Sequence, residues 1–156
     1  MTVEESIAWL DANAARFATC IASLPEDLFL APMDAWAPRD VLAHLIGWNR
    51  YTVEGGKLLV EGKMPPFFQD AGDDFAAVNA VLVQTYPLRD RRALLAELET
   101  SLQELRRYLR SLSAEEWEAG VMHGQHAITL QNSVQALVVD YAGHTEQIER
   151  WAEGQR

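Results

Sequence analysis

His44, Asp140 and His144 are the residues of this chain whose types and spacing allow shared chemistry. His44 stands in VLAHLIGWNRY and His144 in VVDYAGHTEQIERW, each on the apolar side of a helical pattern. Asp140 precedes His144 by one helical turn of ~5.4 Å, so both side chains can converge on one ion. Two imidazole nitrogens and a carboxylate leave open positions on a divalent transition metal such as zinc, nickel, manganese or iron. Such an ion lowers the pKa of its water towards ~7, or polarises a substrate carbonyl or thiol. A plainer reading stands beside this one: two histidines at the edge of a core, donating to carboxylates or backbone carbonyls.

The surroundings of these residues separate pocket from packing. Val41, His44, Trp48 and Tyr51 recur at three and four residues and share one helix face, which makes Trp48 and Tyr51 pocket walls beside His44. Tyr141 and Ile148 flank Asp140 and His144 on the last helix, and Tyr141 joins the expected substrate pocket. Asp40 suits an exposed first-turn carboxylate, favoured by the helix dipole, better than an orienting partner for His44. His123 and His126 lie ahead of the last helix, toward the opposite end, and read as loop polarity. Cys20, the single cysteine, sits among Phe17, Ile21 and Leu24 as a small buried hydrophobe, with no basic neighbour to lower its pKa. A Gly-rich phosphate loop, a G-x-S-x-G elbow and a C-x-x-C pair are all absent from the sequence.

Helices must position these groups. Thr2 with Glu5 forms a capping box before Ile7, Leu10, Ala14, Phe17 and Ile21, giving a helix from Val3 to about Ser23. The segment LPEDLFLAPMDAWAP is irregular until Pro38 opens a second helix that ends near Gly55 and Gly56 or a turn beyond. MPPFF breaks regular helix and leaves a loop with two aromatics to bury. A helix from about Asp73 to Tyr86 follows. Leu95, Leu98, Leu102, Leu105, Leu109 and Leu112 then mark a bundle helix, Ser113 and Glu116 a short turn around Trp117, and EAGVMHGQHAI a polar loop. The last helix runs from about Gln131 to Ala152. No alternating Val/Ile-rich run bounded by hairpin turns is evident, so no sheet is expected. The pattern predicts an all-α four-helix bundle with an additional short helix, one domain over residues 1–156. If the second and last helices pack antiparallel, His44 and His144 lie ~9 and ~14 Å inside matching ends, close enough to meet.

Composition bounds the partners. Apolar residues make up 49% and charged residues 23%, with a formal net charge of −10, as in a water-soluble globular protein. The acidic balance argues against nucleic acid and anionic membranes, leaving a small-molecule substrate. The opening residues lack a signal-peptide pattern and no apolar run spans a bilayer, so a cytoplasmic location is expected.

WAPRDVLAHLIGWNRY, residues 36–51, resembles the helix-two signature of the DinB-like four-helix-bundle superfamily, especially its ClbS/DfsB branch, with Arg39 in place of a lysine. GHTEQIERW, residues 143–151, resembles the superfamily's closing H-x-x-Q-I motif. Metal-binding members, including YfiT-like hydrolases and transferases using a low-molecular-weight thiol, carry one histidine on helix two and H-x-x-x-H on the last helix. By that resemblance His44 and His144 are metal ligands and Asp140 replaces the middle histidine. The ClbS/DfsB likeness implies instead a cavity lined by Trp48, Tyr51, Asp140 and His144 in which a carboxylate or imidazole positions water without a metal. The superfamily also makes a homodimer an expectation. Three functions follow: a metal-dependent hydrolase or thiol-S-transferase, a metal-free protein binding a small electrophile, and an interaction module without a pocket.

Overall fold

The computed structural model describes residues 1–67, 75–87 and 90–156. Helix α1, Val3–Ser23, opens on the expected capping box: the Glu5 amide donates to Thr2 Oγ1 at 3.2 Å, and the Thr2 amide to Glu5 Oε2 at 2.7 Å. Its Ile7, Leu10, Ala14, Phe17 and Ile21 are buried, one turn apart along a single face. A single-turn helix not anticipated from the sequence, α2, follows at Glu26–Phe29 and buries Phe29. Helix α3, Pro38–Val60, starts with proline in its first turn, where no amide partner is lost. Asp40 Oδ2 accepts the Ala37 amide at 2.9 Å, so this carboxylate caps the helix and does not reach His44.

Helix α4 covers Ala76–Thr85. The expected start at Asp73 falls outside the described residues, as does Phe68 of the MPPFF stretch. Residues 66 and 67 are helical, contrary to the loop expected there, because a helix can begin on a proline even though it cannot continue through one. Helix α5, Arg91–Arg110, is capped by Asp90, which accepts the Ala93 amide at 3.0 Å. Its buried stripe is Leu94, Leu98, Leu102, Leu105 and Leu109. Leu94 thus takes the place expected for Leu95, and Leu112 lies beyond the helix end. The one-turn helix α6, Ala114–Trp117, carries the Ser113/Glu116 capping box read from the sequence.

The residues expected to form a polar loop instead form a hairpin. Strands β1, Gly120–His123, and β2, His126–Thr129, pair antiparallel with Gly120 opposite Thr129 and His123 opposite His126. Gly124 takes φ +64 while Gln125 does not have positive φ, the pattern of a type II′ turn that matches strand twist. The four-residue strands are too short for alternation to show in the sequence. Helix α7, Leu130–Gly154, begins directly from β2, with Thr129 Oγ1 accepting the Asn132 amide at 3.0 Å.

The all-α reading holds: α1, α3, α5 and α7 form a four-helix bundle in which α1 and α3 each pack against both α5 and α7. The leucines of α5 close the centre of this bundle. Helix α4 lies on the outside of α3. No helix among the described residues is long and apolar enough to cross a membrane. For the site, the decisive contact is the antiparallel seam of α3 and α7.

Candidate functional site

Antiparallel packing of α3 and α7 brings His44 against Asp140 and His144, about a hundred positions further along the chain. His44 Nε2 lies 2.8 Å from Asp140 Oδ2, and His144 Nε2 lies 3.2 Å from Asp140 Oδ1. One donor atom from each residue falls within 4.8 Å of the others. A carboxylate only accepts, so both imidazoles present Nε2–H to it. His144 Nδ1 sits 2.9 Å from Gln147 Oε1, one turn further along α7, which fixes the ring from its other side.

Burial is graded across the cluster. His44 is 4% exposed, while the side chains of His144 and Asp140 are 21% and 38% exposed. Burial pushes the Asp140 carboxyl upward, but hydrogen bonds from His144 and His44 outweigh that and hold it well below the usual carboxylate range. Burial pushes His144 downward, and its hydrogen bond to Asp140 outweighs this, raising the imidazole above its ordinary value. The cluster is therefore an anionic carboxylate clamped between two imidazoles. His44 packs between Trp36, ring centroids 5.1 Å apart, and Trp48 at 6.5 Å. Its Nδ1 is buried with no hydrogen-bond partner among the described residues.

The donor set fits a divalent metal. Bonds of ~2.0–2.2 Å imply neighbouring ligand atoms ~3.3–3.6 Å apart in a tetrahedron, whereas the imidazoles stand at hydrogen-bonding distances of 2.8 and 3.2 Å from Asp140, so the cluster would have to spread slightly to take an ion. Gln147 supplies His144 with the outer partner that metal-bound histidines usually have, whereas His44 has none among the described residues.

The cluster sits at the edge of a cavity of about 680 Å³ between α3 and α7, within the size range of small-molecule sites. Trp48 and Tyr51 line it as the sequence suggests. Tyr141 does not: it is fully buried on the neighbouring face of α7, edge-on to Phe17 at 5.6 Å. Its hydroxyl donates to Asn49 Oδ1 at 3.0 Å, and Asn49 Nδ2 donates to Ser101 Oγ at 2.9 Å. Adjacent residues on a helix are ~100° apart, so Asp140 can face the cavity only if Tyr141 turns away. His123 and His126 remain exposed on the hairpin, outside this cavity.

Several site residues escape sequence reasoning. Trp36, ahead of α3, packs on His44. Asn79 of α4 accepts the Trp48 indole N–H at 2.7 Å and locks its ring. Phe67 stacks on Tyr51, centroids 4.9 Å apart and planes at 17°. Only the i, i+3 spacing of His144 and Gln147 was visible beforehand; the others arrive from different elements.

The sequence model of the DinB superfamily matches residues 10–148. No curated protein matches the chain. Solved structures with this fold include the colibactin self-resistance protein ClbS in complex with double-stranded DNA. ClbS is 16% identical with a TM-score of 0.75, over 96% of this chain and 94% of that one. YfiT from Bacillus subtilis, a probable metal-dependent hydrolase of unusual four-helix-bundle topology, is 18% identical with a TM-score of 0.73, over 98% and 87%. A mycothiol-dependent maleylpyruvate isomerase is 13% identical with a TM-score of 0.75, over 95% of this chain and 61% of the isomerase.

The ClbS complex corrects the exclusion of nucleic acid drawn from net charge. Net charge is a sum over the whole surface, whereas a duplex meets a local patch, and a protein of this fold does hold DNA.

Proposed function

The chain belongs to the DinB superfamily, and we propose that it is a metal-dependent enzyme, a hydrolase or thiol-S-transferase acting on a small electrophilic molecule. The observation that carries this reading is the convergence of His44, Asp140 and His144, with donor atoms within 4.8 Å, at the edge of a ligand-sized cavity. Those three residues would hold the ion. When bound, it supplies Lewis-acid polarisation of a substrate atom or an acidified water.

The chain's own residues do the rest. Asp140 anchors both imidazoles, so neither rotates away from the cavity edge. Gln147 fixes the orientation of His144. Trp48, held by Asn79, and the Tyr51–Phe67 stack exclude water from the apolar side. The Nε2 protons that face Asp140 must leave before the imidazoles can ligate, which ties metal affinity to pH.

Metal content by inductively coupled plasma mass spectrometry, on untagged protein purified without chelator, tests the reading. About one equivalent of a divalent transition metal is expected in the parent, and little in a folded His144→Ala variant. Equal metal in both proteins, or none after incubation with zinc, nickel and manganese, would sink it.

A second reading rests on the same hydrogen bonds. Because Asp140 already satisfies both Nε2–H groups, the cluster is self-consistent without an ion, as a metal-free ligand-binding or protective protein requires. It predicts ligand quenching of Trp48 fluorescence, lost in Trp48→Phe, that EDTA leaves unchanged. Quenching abolished by EDTA would eliminate it.

A further inference from the structure

Taking the α3/α7 cavity as the substrate site of the proposed enzyme, we infer that its ligand has an uncharged, ring-bearing apolar body and a single polar group that reaches Asp140. The first support is the wall. Trp48 meets Tyr51, Phe67 and Phe75 edge-on, with centroids 5.8, 5.6 and 5.7 Å away, and Tyr51 and Phe67 stack nearly parallel. These rings form one side of the cavity and are fixed before any ligand arrives, so a flat apolar body can pack there without first ordering its walls. Gly55 belongs to this construction: a Cβ there would lie 2.9 Å from the Phe67 ring and displace it from Tyr51.

The second support is charge. None of the described residues lining the cavity is Lys or Arg. Arg50 of α3 is engaged on the other side of its helix, donating to Tyr86 Oη at 2.8 Å and to Glu97 at 3.0 Å. The proton donors at the polar end are committed in advance, both Nε2–H groups to Asp140 and His144 Nδ1 to Gln147. A carboxylate, phosphate or sulfonate on the ligand body, away from the His44–Asp140–His144 end, would thus be desolvated against the aromatic wall with no Lys or Arg among the described lining residues to receive it.

Two dyes that differ only by one charge test this. N-phenyl-1-naphthylamine is neutral, and 1-anilinonaphthalene-8-sulfonate carries a sulfonate on the same ring system. Titrated into the protein, as purified and after EDTA, the neutral dye is expected to saturate and to bind at least tenfold more tightly than the sulfonate. Trp48→Ala should weaken the neutral dye at least fivefold without changing zinc content. If that variant does not fold by circular dichroism, Val139→Lys replaces it. Val139 is 63% exposed at the cavity edge, and the added cation should raise sulfonate affinity at least fivefold while the neutral dye stays within twofold.

Sulfonate binding as tight as the neutral dye in the parent, or a neutral-dye titration that never saturates, would overturn the inference. So would Trp48→Ala or Val139→Lys variants indistinguishable from the parent. The metal reading fails separately: a parent that takes up no zinc but keeps the dye preference refutes the metal and not the ligand class.

Discussion

Helices α3 and α7 are joined by two polar clusters little more than a turn apart, and they are built in opposite ways. The Tyr141–Asn49–Ser101 chain is wholly buried, ends with Ser101 Oγ donating to the Leu98 carbonyl at 2.8 Å, and ties α7, α3 and α5 together. The His44–Asp140–His144 cluster is charged, opens on the cavity, and leaves His44 Nδ1 without a hydrogen-bond partner among the described residues. Neutral polar groups can be buried cheaply once each is hydrogen-bonded, and the benefit is a fixed register between helices. An anion flanked by titratable imidazoles is costly to keep at a core edge, and its opening on the cavity is what sets it apart from the buried chain. The first cluster specifies the seam; the second uses it.

The sharpest way to break this comparison is to neutralise each cluster and ask which property fails. Asp140→Asn keeps the shape of the side chain and removes the charge. It is expected to weaken zinc binding by more than about a hundredfold, beyond the ~10–100-fold typical of losing an outer partner, while the protein stays helical. Competition with a chromophoric chelator measures it, and parental zinc affinity in Asp140→Asn would place the metal elsewhere. Asn49→Ala should do the reverse. Stranding Tyr141 Oη in the core and leaving Ser101 Oγ only its bond to the Leu98 carbonyl costs about 2 kcal/mol, a fall in Tm of about 4–8 °C by calorimetry, with zinc stoichiometry intact. Loss of zinc in a folded Asn49→Ala protein would erase the division of labour.

The sequence revealed these two regions unequally, for physical reasons. Helix periodicity and capping chemistry are local, so Thr2 with Glu5, Pro38, and Ser113 with Glu116 announced their helix ends. The pairing of His44 with Asp140 and His144 could be anticipated because both sit on apolar faces at matching depths in helices that must pack somewhere. Rotation about a helix axis was harder to read. Tyr141 shares the apolar side with His144, but the seam divides that side, sending Asp140 to the cavity and Tyr141 to Phe17. Trp36 and Asn79 were invisible as partners of the site, since loop and helix crossings that bring them to His44 and Trp48 depend on tertiary packing. The β1–β2 hairpin carried a Gly124 turn signal but too few residues for a strand pattern.

The smallest expected effect, and the one that sharpens the contrast most finely, is in the pH dependence of stability. Without metal, the depressed Asp140 pKa contributes stability that is present above its ordinary value of ~4 and lost as pH falls toward the folded value. The raised His144 pKa contributes stability that is present below its ordinary value of ~6.5 and lost as pH rises through the folded value. The cluster therefore stabilises the metal-free protein most between about pH 4 and 6.5, and progressively less above. Zinc requires the same nitrogens unprotonated, so its affinity should rise over the range in which the metal-free cluster weakens. The Tm difference between metal-free parent and His144→Ala is expected to shrink from pH 6 to 9, while the zinc-induced increase in parental Tm grows. The Tyr141–Asn49 chain does not ionise over that range: burial pushes the Tyr141 hydroxyl pKa upward, so Asn49→Ala should subtract the same stability throughout. Parallel pH profiles for His144→Ala and Asn49→Ala would mean that both clusters are packing devices, and that the charge at Asp140 has no part in ligand or metal binding.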